Sequence, residues 1–138
     1  GESISRSDIE ALVARTAEVK PWDLLNAVSA RDMKRALELY QLQPPRSEVR
    51  LFSLLVTRLR ELICAKALDA RGEGRSLAQV LGLQGWQVRN HVGWARKYSM
   101  EELVCALRTA VDVEAALKGS ADSELALRLW IISLIERS

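Results

Sequence analysis

The sequence predicts an all-α fold: a single helical bundle of about seven or eight helices. Three observations carry that prediction. Apolar residues recur at i, i+3, i+4 and i+7 in segment after segment, whereas a half-buried strand would alternate them. Helix-start signals recur too, the best being Ser99 with Glu102, a capping box in which each side chain satisfies the other residue's backbone N–H. Finally, only three prolines and seven glycines interrupt 138 residues rich in alanine and leucine. With 49% hydrophobic and 28% charged residues the chain is sized for one domain with a full core. Residues 1–20 are expected as a connector helix leading into a helical domain over 21–138.

Within the connector, Ile9, Leu12, Val13 and Thr16 share one helix face, and Ser7 with Glu10 has capping-box spacing, so residues 8–17 are expected to be helical. Pro21 suits the first turn of the next helix, which carries Leu24, Leu25 and Val28. Ser29 and Asp32 read as a further capping pair, starting a helix from about Ala30 to Leu42 with Met33, Leu37 and Tyr40 inward. Pro44 and Pro45 stop it. Residues 47–71 read as the longest helix. Phe52, Leu55, Val56, Leu59, Leu62 and Ile63 form its core stripe, with Arg50, Thr57 and Glu61 opposite and Gly72 as a left-handed cap.

From Ser76 to Lys97 a short helix with Leu77, Ala78 and Leu81 turns at Gly82 into a helix carrying Val88, Val92 and Ala95. This corner has two readings. As a helix-turn-helix centred on residues 76–97, it would offer Arg89, Asn90, Arg96 and Lys97 to DNA. As a plain packing corner it needs the same small turn residue and the same apolar spacing. Trp86 and Trp94 favour packing, because a groove reader fills its second helix with polar and basic residues. The helix opened by Ser99 runs to Lys118, which pairs with Glu114 at i, i+4 and complements the helix end. Asp122 opens the last helix. There Leu127, Trp130, Ile131, Leu134 and Ile135 form one stripe, and Leu125, Leu129 and Ile132 widen it nearly all round. Such a helix needs cover on several sides, one of which is expected to come from a partner.

Chemistry is thinly represented. Twenty basic and 18 acidic residues are interspersed, for a net charge of +2, which is a mixed solvated surface rather than a phosphate-binding stripe. Cys64 and Cys105 fall at largely apolar helical positions and are expected as reduced, buried thiols, consistent with a cytoplasmic location. No apolar run is long enough to span a membrane. His91 lacks ligand-spaced neighbours and is expected at the surface or its boundary, so neither a metal nor a catalytic site is indicated, and no cofactor motif is present. The RGEGR loop at 71–75 lacks the phosphate-binding pattern.

The order of landmarks resembles a known family. The segments ISRSDIEALVA, WDLLNAVSARDMKRALELY, LLVTRLRELICAKAL, SLAQVLGLQGWQVRNHVGWARKYSMEELVCALRTAVDVEAALKG and LALRLWIISL are similar to the C-terminal part of the delta subunit of the bacterial DNA polymerase III clamp loader. The landmarks are Arg60, Leu77 to Gly82, Ala95 to Leu103, and Asp112 with Leu117 to Gly119. The resemblance implies a non-catalytic collar domain that joins the loader subunits, tau/gamma and delta prime among them, into a ring during DNA replication. It implies that sliding clamp and DNA are engaged through N-terminal domains outside this sequence or through the assembled complex. Aromatic residues and arginine dominate association energetics, so Trp130, Trp94 and Arg58 are the expected partner contacts, though Trp130 suits a core as well. Trp22 and Trp86, near helix starts, are expected to be packing anchors.

Overall fold

The computed structural model describes residues 20–119 and 122–136, and every regular element in them is helical. The helix expected over residues 8–17 lies outside that range. The first described helix, α1 (Pro21–Ser29), has Pro21 in its first turn, where a missing N–H costs nothing, and buries Leu24, Leu25, Ala27 and Val28. It does not run on into a cap for the next helix as the pair Ser29 and Asp32 suggests. Ser29 Oγ donates back to Leu25 O within α1, Arg31 takes a left-handed conformation at φ 58°, and Asp32 alone caps α2 (Met33–Gln41) by accepting from Arg35 N. The inward residues of α2 are Ala36, Leu39 and Tyr40, while Leu37 is only half-buried.

After the Pro44–Pro45 break, α3 (Glu48–Ala70) runs for 23 residues through the middle of the bundle. Leu51, Phe52, Leu55, Leu59, Leu62, Ala65 and Leu68 are its buried stripe; α1 and the later helices pack against it, while α2 packs chiefly on α1. Gly72 ends it at φ 72°, as its sequence position predicts, while Glu73 N reaches back to Leu68 O. A 3-10 turn (Gly74–Ser76) leads into α4 (Leu77–Leu81), closed by Gly82 at φ 69°.

The predicted single helix through Val88, Val92 and Ala95 is instead two short pieces. A 3-10 turn (Gly85–Val88), held by reciprocal Gln84 and Gln87 bonds, is followed at Arg89 and Asn90 by a break and then α5 (His91–Ala95). Five residues are too few for a groove-reading helix, which removes the structural premise of the helix-turn-helix reading. Next, α6 (Met100–Lys118) starts with both bonds of the Ser99–Glu102 capping box and carries the Lys118–Glu114 pair at 3.0 Å. Asp122 caps α7 (Ser123–Ile135), which packs along α6.

One core joins these elements: Leu24 from α1, Leu55 and Leu62 from α3, Leu77 from α4, Leu103 from α6, and Leu127 and Ile131 from α7 are all essentially inaccessible. Leu55 is at its centre. The Leu55→Ala substitution should cost about 2–5 kcal/mol through lost transfer energy and a cavity, measured by denaturant unfolding.

Candidate interaction surfaces

Two buried polar clusters position the surfaces that this bundle presents. The first surrounds Arg31, whose left-handed backbone turns its side chain across the end of the bundle. Its Nε donates to Ile135 O at 3.0 Å, Nη1 to Lys97 O at 2.8 Å, and Nη2 to Glu136 O at 2.9 Å. Both Nη atoms also meet the Glu102 carboxylate at 2.9 Å, a bidentate pair. The guanidinium lies 4.3 Å from the Tyr98 ring centroid, and the Tyr98 hydroxyl donates to Val28 O. With its side chain 4% exposed, Arg31 is a buried charge whose hydrogen-bonding groups are all occupied. The Arg31 guanidinium, aided by Ser99 N–H, holds the Glu102 carboxyl down at about 2.

The second cluster joins α1, α3 and α5. Arg58 Nη1 donates to Asn26 Oδ1 and Ser29 Oγ, each at 3.0 Å, and its Nε lies 3.5 Å from Glu61 Oε1. The same Glu61 oxygen is 2.8 Å from His91 Nε2. His91 is 1% exposed, so the surface or boundary position expected for it is corrected: Glu61, read as solvent-facing, turns inward and supplies the partner that lets imidazole be buried. His91 Nδ1 has no hydrogen-bond partner among the described residues. An Nε2–H donor to the carboxylate leaves Nδ1 as a bare acceptor, the less costly orphan. No group of three or more His, Cys, Asp or Glu side chains converges among the described residues. Nor are both cysteines buried as expected: Cys64 is half-buried and Cys105 exposed, because its position on α6 lies off the helix's buried stripe.

The three expected partner contacts fall at different depths. Trp130 is 4% exposed, its Nε1 donates to Ala106 O, and its ring lies 5.3 Å from Phe52, so its surface is covered within the chain. Trp94 is half-buried between His91, 5.5 Å away, and the Arg58 guanidinium, 4.9 Å from its centroid. Arg58 reaches the surface only in part. Trp86 and Trp22 are not packing anchors: they are 71% and 49% exposed, because the break at Arg89 aims the Gly85–Val88 turn outward and Trp22 lies beyond α1's buried stripe.

Other exposed apolar side chains are Leu42 just after α2, Val49 on α3, Val80 on α4, Val111 on α6, and Leu125 and Leu129 on α7. The sequence signal for the last two was the over-wide stripe of α7; for the others it was an apolar residue standing off the main stripe. Beside Trp86, a groove of about 460 Å³ is edged by Arg75, Arg89 and Arg96. Arg96 is already held by Asp69 through two bonds of 2.9 and 2.8 Å, leaving Arg75 and Arg89 as its free cations among the described residues. No described helix is long and apolar enough to cross a membrane.

Against known proteins, residues 18–134 match the family model described as DNA polymerase III delta subunit, C-terminal domain. The chain is 25% identical over 141 aligned residues to DNA polymerase III subunit delta of Bacillus subtilis, covering 99% of this chain and 41% of that protein. Its fold is similar to the solved Bacillus subtilis DNA clamp loader delta protein, with a TM-score of 0.75, 24% identity and coverage of 95% of this chain and 40% of that one. The chain thus spans about two fifths of the length of these relatives.

Arg31→Met should cost about 1–3 kcal/mol, because it removes the hydrogen-bond partner of the partly buried Glu102 carboxylate and of Ile135 O; chemical unfolding measures it. The depressed Glu102 carboxyl contributes stability that is present above its unfolded value near 4.5 and is lost as pH falls from there towards about 2. Accordingly, Glu102→Gln should flatten the pH dependence of unfolding free energy in that window.

Proposed function

Because the chain belongs to the family formed by the C-terminal domains of DNA polymerase III delta subunits, we propose that it is the collar through which a delta subunit joins the clamp loader. Its neighbours in this reading are the tau/gamma and delta prime subunits, and the assembled loader places the sliding clamp on primed DNA. Contacts with clamp and DNA fall to the rest of the longer protein or to the assembly. The observation that carries the reading is the match over residues 18–134, which takes in almost the whole bundle.

The geometry supports an assembly role for a physical reason. Exposed apolar side chains stand on α3, α4, α6 and α7, outside a core that is already complete without them. Association needs such residues at the centre of a buried patch, whereas catalysis needs convergent polar groups. In this role the domain is non-catalytic and works without a cofactor, in the cytoplasm. Arg58 and Trp94 contribute to a neighbour's surface as a stacked cation and ring, and Trp130 contributes from behind, by supporting Phe52.

The chain mixed with purified tau/gamma and delta prime subunits is expected to co-elute with them in size-exclusion chromatography. If it shows full helical circular dichroism and cooperative melting yet elutes alone from both, the collar reading is wrong.

A further inference from the structure

We propose that the groove between the N-terminal half of α3 and the C-terminal end of α6 seats an amphipathic helix of a neighbouring subunit, one that presents aliphatic side chains at i, i+3 or i+4 and a carboxylate beside them. This rests on the collar reading above and adds to it a surface and the chemistry of its occupant. The groove encloses about 300 Å³, bounded on α3 by Val49, Phe52 and Val56 and on α6 by Leu117. Val49 and Val56 are seven residues apart and so lie on one flank of α3, beside the core stripe rather than in it. Val49 is 64% exposed, and Phe52 forms a firm floor because Trp130 backs it at 5.3 Å.

The rim decides what fits. Thr57 Oγ1 donates to Ser53 O within α3, and Glu114 is neutralised by Lys118 at 3.0 Å, so these polar groups are already engaged. Arg60 completes the rim, is exposed, and has no carboxylate within 4.0 Å among the described residues. The groove therefore offers apolar walls and one uncompensated cation. A small polar ligand would need several converging donors and acceptors, and a phosphodiester backbone or anionic membrane would need a row of cations. An amphipathic helix needs what is present: an apolar slot for two side chains one turn apart and an opposite charge at its edge.

The test uses the full-length protein and the purified tau/gamma and delta prime subunits. Val49→Glu and Arg60→Glu alter exposed positions and should leave the melting temperature near wild type. Each should weaken association about tenfold or more, while Lys34→Glu, an equal charge change on the exposed side of α2, should leave it within about twofold. In a Val49→Cys protein, maleimide modification of the introduced thiol, read by peptide mass spectrometry, should slow about tenfold on assembly. If wild type assembles while both groove variants bind equally well and the Val49→Cys thiol stays reactive, the groove is not the seat and the collar reading survives. If wild type does not assemble at all, both readings fall. Slowing by primed DNA alone would replace the helix with a nucleic-acid occupant and overturn the proposal.

Discussion

Much of this bundle's geometry depends on one arginine. The bundle ends of α1, α5, α6 and α7 meet where Arg31 places five donor contacts on three carbonyls and one carboxylate. Apolar packing sets how closely helices approach but leaves rotation and axial shift loosely specified, since aliphatic contacts are non-directional. A buried guanidinium is directional: its planar fork is satisfied in one arrangement only, and any slip of α7 against α6 would strand a charge. The left-handed backbone at Arg31 is the local strain this device requires, and what it secures is a common anchor for the chain's two halves.

The Arg58, Glu61 and His91 cluster does comparable work on the other side of α3. It ties α1, through Asn26 and Ser29, to the short α5, through His91, across the surface of the central helix. A five-residue helix cannot hold itself together, because nucleation costs exceed what one turn returns. Burial of His91 against Glu61, with Trp94 packed between the tilted imidazole and the Arg58 guanidinium, is what keeps α5 in place. The neighbouring Trp86 turn is consequently presented outward on a firm base. The polar interior here fixes shape: its buried charges hold the helices in register beneath apolar side chains that stand on the exterior.

Much of this architecture was legible in the sequence. Pro21, the Pro44–Pro45 break, Gly72, Gly82 and the Ser99–Glu102 box marked helix ends because each acts through its own backbone or that of a residue three or four away. The core stripe of α3 was legible for the same reason: a helix converts sequence spacing into facing direction without reference to anything else. The surfaces were less so. Trp130, singled out as a contact by residue type, is core, and Trp86, expected to pack, is the most exposed large apolar side chain of those described. Residue type is ambiguous for tryptophan, whose large apolar body serves either place.

By itself, then, the sequence determined most of the described helices, most of their ends and the central stripe, since all of these follow from interactions within about four residues. Only the tertiary structure decided that Glu61 faces His91 from 30 positions away, that Arg31 grips Glu102 and the Ile135 carbonyl at separations of 71 and 104, and that the corner after Gly82 breaks into two turns. Pairings at that distance depend on how helices lie against one another. That arrangement is set by the whole core at once and leaves no periodic trace in the chain.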